Sequence, residues 1–387
     1  MALPSPVELL RELVRRPSVN PMGRTDVPPG VAFESRVTDY LEGQLRGLGV
    51  PVERWEVAPG RCNLVARYAP PDPPFTVLWE AHQDTVPADG MTVEPFAGEL
   101  RGGRVYGRGA CDVKGGAAAM LTAFARLVTT RPPGSAAVIL AFTIDEEHTF
   151  LGVQHLVAHL ATAGPPPDFA VVAEPTSLNI VSAHKGVVRW ALETTGVAAH
   201  SSRPEVGVNA IYRMARVIVA LEEYAGELSR GPRDPLLGPG SLSVGMVTGG
   251  VSPNTVPDRC RVELDRRLLP GESPPAAIAA VEAFVRQRAG VPFASLPPAF
   301  ACPPLSAARS TALVAKLGAA IDAVVGTHRV EAMPYGTDAS TIAEAGIPVV
   351  VFGPGDIAQA HTRDEFLAVD QLHAAVEVLA RFAGGRS

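Results

Sequence analysis

Apolar runs and helically spaced apolar stripes alternate along the first half of the chain. Among residues 1–21, Val7, Leu9, Leu10 and Leu13 recur between charges, predicting an amphipathic helix and not the unbroken apolar core of a signal peptide. A second helix is expected over 33–49, then strands over 62–68 and 75–82. A helix from Gly115 to Val128, a strand over 136–144, a helix from Leu151 to Ala163 and a strand over 168–175 follow. Several of these strands are near-continuous apolar runs, the pattern of a central sheet buried by helices on both faces.

The texture changes near His184. Strand (186–196), helix (207–228), two strands (241–250 and 259–269), helix (274–288) and strand (291–296) give the order βαββαβ, a ferredoxin-like arrangement. A long helix over 311–326, an apolar strand over 347–354 and a closing helix then resume the first pattern. The expected architecture is α/β, with one discontinuous domain over 1–183 and 297–387 and an inserted domain over 184–296.

The length of 387 residues agrees with two domains. The net charge of -6 is spread without a basic block, which argues against nucleic acid or an anionic membrane as partner and favours a small molecule. No apolar run reaches the roughly 18 to 20 residues that a membrane span needs. Cys62, Cys111, Cys260 and Cys302 are scattered without paired spacing, against a disulfide framework or a cysteine zinc site, so a cytoplasmic setting is expected.

Candidate chemistry gathers at the ends of the apolar runs. In "FTVLWEAHQDTVP", His82 and Asp84 lie two apart and share a face at the C-terminal end of a strand, where open α/β sheets place their sites. Alone, the pair reads equally as a surface turn; as a site, Asp84 would fix the second nitrogen of a metal-bound His82. "GRGACDVKGG" presents Asp112 before an alanine-rich helix but has neither glycine-rich nucleotide pattern, so a nucleotide-binding reading is set aside. Asp145, Glu146 and Glu147 end the next apolar run, and by themselves they read as acids favoured in a first helical turn. Glu174 ends "FAVVAE", and His361 follows the run "VVVFGP". Five such clusters form a mixed nitrogen and oxygen donor set suited to zinc or a similar divalent ion, and an aspartate bridging two ions would make a two-metal site. His155 and His159 have helical spacing for zinc but lack the glutamate of the H-E-x-x-H pattern, and they are read, with His148, His184, His328 and His373, as ordinary histidines.

Together these residues carry a resemblance. "AHQDTVP", "GRGACDVKGG", "DEE", "AEPTSLNIVSAHKG", "AAHSSRPEVGVNAI", "SPNTVPD", "DRRLLPGE", "YGTDAS" and "GPGDIAQAHTRDEFL" occur in an order and spacing similar to the two-zinc deacylases and peptidases. That group includes acetylornithine deacetylase, succinyl-diaminopimelate desuccinylase, aminoacylase and carboxypeptidase G. The resemblance implies a zinc-peptidase-like domain with a central mixed sheet and an inserted lid and dimerisation domain. It implies two divalent ions, zinc first and cobalt or manganese as alternatives: His82, Asp112 and Glu174 on one, Asp112, Glu147 and His361 on the other. Glu146 is then the general base and Asp84 the partner of His82. His200 reaches the site of a second subunit, and Asn254, Arg267 and the loop at Gly336 hold the substrate carboxylate. The implied reaction is hydrolysis of an N-acyl-L-amino acid, N-acetyl-L-ornithine first, with another acyl amino acid or a peptide C-terminus as the nearest alternative. A metal-free binding protein on this fold is the reading from another class. Cys111, where the family has a small residue, reads as a redox-sensitive thiol or, more simply, a buried filler.

Overall fold

A computed structural model describes residues 3–385. The chain divides into two compact units. The first comprises residues up to Ser182, Ala307–Glu331 and the chain from Thr341; the second comprises Ala183–Ser306 and Ala332–Ser340. The second unit thus extends past the boundary expected at 296. Strand Phe300–Cys302 pairs with Gly186–Thr195, and the segment at Gly336 packs beside Cys302, where a Cβ would lie 2.7 Å from its sulfur.

The first unit is built on an eight-stranded mixed sheet. In spatial order its strands are Val52–Ala58, Arg61–Tyr68, Ala137–Thr143, Thr76–His82, Phe169–Val172, Val349–Val351, Ile180–His184 and Val330–Met333. The four in the middle, from Ala137–Thr143 to Val349–Val351, run parallel, so their C-terminal ends share one edge. These are the apolar runs of the sequence, and every residue of Ala137–Thr143 is buried. Val52–Ala58, Ile180–His184 and Val330–Met333 are not expected from the sequence pattern. Val52–Ala58 is an edge strand carrying Glu53, Arg54 and Glu56, and it lacks the apolar continuity of a central strand.

Helices flank this sheet. The first, Pro6–Val14, starts at Ser5, whose hydroxyl accepts from the Glu8 N–H, and it buries Leu9, Leu10, Leu13 and Val14. Lys114–Thr130 is buried almost all round, its alanines permitting close approach, and it shares one apolar core with Trp79, Phe142, Leu379 and Phe382.

In the second unit, Ser241–Gly249, Arg259–Leu268, Gly186–Thr195 and Ala294–Ser295 form an antiparallel sheet in that order. Helices Ala210–Arg230 and Pro274–Ala289 cover it through Met214, Val217, Leu221, Val281 and Val285 against Trp190, Leu192, Val262 and Leu264. The order is the expected βαββαβ, with the last strand shortened to Ala294–Ser295. Ser241–Gly249 is an edge strand and exposes Met246 and Val247; Tyr212 and Val219 are exposed on the first helix.

His184 is fully buried as a neutral imidazole. Nδ1 is 3.0 Å from the Lys185 carbonyl and donates to it, and Nε2 accepts from the Thr337 N–H at 3.3 Å. Burial pushes its pKa down to about 4. The unfolded chain, with histidine near ~6.5, binds a proton that the fold rejects. The stability contribution is therefore complete above pH ~6.5 and falls away toward pH 4, by about 3 kcal/mol in full. His184→Gln should flatten this step: between pH 7 and 4.5 its urea midpoint should move much less than that of the wild type. Parallel curves would show that His184 does not titrate on unfolding.

Candidate metal centre

The shared edge of the four parallel strands collects the acidic and imidazole side chains. His82 is the last residue of its strand and Asp84 lies two beyond, on the same side. The neighbouring strand ends at Thr143, and Asp145, at φ +67°, turns the chain so that Glu146 and Glu147 follow at once. Glu174 stands just past Val172, where Gly353 lets two segments touch: a Cβ there would lie 2.6 Å from the Glu174 carbonyl oxygen. His361, also left-handed at φ +60°, comes from the loop after Val349–Val351. Asp112 enters from the glycine turn that precedes Lys114–Thr130. Non-glycine residues in that region are uncommon, and two fall in this cluster.

The side chains form two trios that share one carboxylate. His82, Asp112 and Glu174 have donor atoms within 4.8 Å of one another, as do Asp112, Glu147 and His361. His82 Nε2 lies 3.2 Å from one Asp112 oxygen and 3.8 Å from Glu174; His361 Nε2 lies 3.2 Å from the other Asp112 oxygen and 3.3 Å from Glu147. Burial pushes Glu174 well above the carboxylate range, and the charge of Asp112 pushes it further. Hydrogen bonds to Asp112 and Glu147 lift His361 to about 10. His82 is raised well above the ordinary value although burial opposes it, because Asp112 and Asp84 flank the ring. Unmetallated, the cluster draws in protons. Its chemistry fits divalent ions: the donors are nitrogen and oxygen, and Glu147 Oε1 is buried with no hydrogen-bond partner.

Asp84 is more than a partner to one ring. His82 Nδ1 is 3.0 Å from the Asp84 carbonyl and 3.5 Å from its carboxylate. The carboxylate also accepts from the Glu146 and Glu147 N–H groups, at 3.2 Å each. Asn20 donates to Asp84 and to Asp145 at 2.8 Å, and Arg61 pairs with Asp145 at 2.9 Å and with buried Glu34. Asp145 enters the sequence reading only within the acidic cluster with Glu146 and Glu147; Asn20, Arg61 and Glu34 have no roles in it. They are single polar residues on separate segments, with no common spacing to reveal them.

The other sequence candidates lie in the second unit. His200 ends the short strand Ala199–His200, which pairs antiparallel with Thr255–Val256, and Asn254 directly precedes that partner, the Ser201 N–H donating to its carbonyl at 3.0 Å; His200 is exposed and its Nδ1 is 2.7 Å from the Ser202 hydroxyl. Arg267 donates to Asp265 at 2.7 Å. Gly336 lies in the Ala332–Ser340 segment. His155 is exposed, while His159 is 2.8 Å from Glu53 and stacks on Trp55, a structural setting for the second of the pair. Cys111 is buried and its thiol is pushed well up, by burial first and then by Glu365.

Two histidine and carboxylate trios sharing one aspartate are a donor set of the kind metal-dependent hydrolases use. Residues 78–384 match peptidase family M20/M25/M40, and the chain belongs to that family. It is 32% identical to the acetylornithine deacetylase of Proteus mirabilis (strain HI4320), over 94% of this chain and 92% of that one. It is 31% identical to that of Vibrio campbellii (strain ATCC BAA-1116), over 98% of both. Among solved structures, the M20 metallo-carboxypeptidase Sso-CP2 of Sulfolobus solfataricus superposes with a TM-score of 0.80 at 19% identity, covering 99% of each chain. A dinuclear metal-binding M20 peptidase of Bacillus subtilis superposes with a TM-score of 0.70 at 17% identity, covering 98% of this chain and 96% of that one. The expected α/β fold, with its large mixed sheet flanked by helices, is the fold of these structures. Among the described residues no helix is long and apolar enough to cross a membrane.

Uptake of zinc at pH 7 should expel about two protons or more, because the imidazoles must be neutral to bind metal. Titration calorimetry in buffers of different ionisation enthalpy reads the number directly. Affinity should fall as pH drops from 8 to 6. Heats independent of buffer would contradict a protonated empty cluster.

Proposed function

We propose that the protein hydrolyses the amide of an N-acyl-L-amino acid, N-acetyl-L-ornithine first, in the manner of an acetylornithine deacetylase. The observation that carries this reading is the pair of trios sharing Asp112, in a chain matched nearly end to end by relatives of that name. Two divalent ions, zinc first with cobalt or manganese as alternatives, would be held by His82, Asp112 and Glu174 and by Asp112, Glu147 and His361. Bound there, such ions supply Lewis acidity, polarising the acyl carbonyl and bringing the pKa of a water toward ~7.

The protein's own groups do the rest. Glu146, its N–H held at 3.2 Å by Asp84, takes the proton as the water oxygen attacks the acyl carbon. It returns that proton to the departing nitrogen as the C–N bond breaks, leaving acetate and the free amine. Asp84, through its carbonyl and carboxylate, keeps the His82 Nδ1 proton in place and leaves Nε2 for metal. Arg267, whose Nε and Nη2 rest on the two Asp265 oxygens, would turn from them to join Asn254 and the loop at Gly336 in binding the substrate's α-carboxylate.

The second unit acts as a lid and dimerisation domain, with His200 serving the partner's site as an oxyanion donor. Support for a dimer comes from the unpaired edge strand Ser241–Gly249 with exposed Met246 and Val247, and from Tyr212 and Val219 on the neighbouring helix. The setting is cytoplasmic, and the enzyme uses neither nucleic acid nor a membrane. The nearest alternative keeps the chemistry and changes the substrate to another acyl amino acid, such as succinyl-diaminopimelate, or to a peptide C-terminus.

Amine release from N-acetyl-L-ornithine should exceed that from acetyl-methionine, succinyl-diaminopimelate and a glutamate-terminated dipeptide. Glu146→Ala should retain metal and lose on the order of 10²- to 10⁴-fold in kcat. Preference for another substrate in the panel would keep the mechanism and change the substrate. Near-normal turnover by Glu146→Ala would remove Glu146 as the base. Met246→Lys should shift the protein to monomer by light scattering and, if His200 acts across subunits, lower kcat with it; a fully active monomer would exclude that role.

A further inference from the structure

The loops that bring Asp112 and His361 meet at a fully buried carboxylate, Glu365. One of its oxygens accepts from Arg108 Nη1 at 2.6 Å and from the Gly109 N–H at 3.1 Å; the other accepts from the Cys111 N–H at 2.9 Å and the Asp112 N–H at 3.1 Å. The Glu365 carbonyl accepts from the Gly107 N–H at 3.0 Å. Every contact on the side chain comes from an N–H donor, which only the ionised form satisfies at both oxygens. Gly109, at φ +84°, permits the wrap, since a Cβ there would meet the Thr85 methyl at 2.7 Å. Arg108 also donates to the Pro87 carbonyl at 3.1 Å, which fastens the pair to the segment that follows Asp84. Immediately after Glu365, Phe366–Ala368 pairs antiparallel with Arg104–Tyr106.

We infer that Glu365 is a positioning residue that ties the Asp112 loop to the His361 loop and thereby controls binding of an ion by the Asp112, Glu147 and His361 trio. This rests on the two-ion reading above. Asp112 has a second anchor in the helix that starts at Lys114, where the Lys114 N–H donates to the Gly109 carbonyl at 2.9 Å. His361 is held differently: half-exposed, it reaches Asp112 and Glu147 from a left-handed turn four residues before Glu365, and two residues on Arg363 donates to the Gly90 carbonyl and accepts from the Thr92 N–H, both at 2.7 Å. A neutral amide at 365 would turn an N–H₂ toward two of the four donors and loosen one loop against the other, with the Phe366–Ala368 pairing left to join them. The trio that needs both loops suffers first; the trio with His82 and Glu174 keeps its strand ends.

The test is stepwise zinc and cobalt binding by wild-type protein and Glu365→Gln, followed by chelator competition, native mass spectrometry and the cobalt absorption spectrum. The variant should bind one ion within about three-fold of the wild-type affinity and the second at least about ten-fold more weakly, with an altered cobalt spectrum. Two ions bound as in the wild type, or both weakened equally, would overturn the inference. Should Glu365→Gln not fold, Glu365→Asp keeps the charge and should weaken the second ion alone, by a smaller factor; an unchanged second affinity would overturn the inference as well. A wild-type chain that takes up a single ion would instead sink the two-ion reading, and this inference with it.

Discussion

Repulsion among buried carboxylates is the constraint around which this fold is arranged. Asp112, Glu147 and Glu174 lie within a few ångströms of two imidazoles, with little water to disperse their charge. Such a cluster persists only if cations or protons enter it and if the backbone beneath it cannot retreat. The parallel strands supply that backbone. Each delivers its side chains at a fixed depth along one edge, and the apolar runs behind them are buried on both faces, which resists displacement of any single strand.

A second tier of polar contacts holds the first. Asp84 clamps the turn at Glu146 and Glu147, and Asn20 and Arg61 extend that clamp to Asp145 and Glu34. Here a buried charge is tolerated because each Asp84 oxygen has a donor. A single carboxylate thus fixes the turn from which both glutamates leave.

Much of this was legible in the sequence because its period is simple. Two-residue spacing placed His82 and Asp84 on one side of a strand, and apolar runs ending in acids marked the other strands that carry site residues. The βαββαβ order likewise followed from alternating periods. What stayed hidden had no period to betray it. Val52–Ala58 is charged because it lies at the edge, and Asn20, Arg61 and Glu365 are isolated polar letters whose importance arises only when distant segments converge. The assignment of Glu146 against Glu147, and of residues to one ion or the other, came from resemblance to a known family. The return of Ala332–Ser340 to the second unit was hidden as well, because it depends on packing against Cys302 and not on any local pattern.

The interrupted course of the first unit also sets an order of assembly. His82, Asp112 and Glu174 all precede the second unit, and the strands that carry His82 and Glu174 pair directly with each other. Glu147 is in place as early, but His361 and the strand Val349–Val351 are synthesised only after the second unit is complete. As the chain leaves the ribosome, every residue of one trio is present while the other still lacks its imidazole. Glu365, whose carboxylate holds the Cys111 and Asp112 N–H groups, comes from the same last few dozen residues as His361, so a polypeptide cut short during synthesis would lack an anchor of the shared aspartate together with the second imidazole.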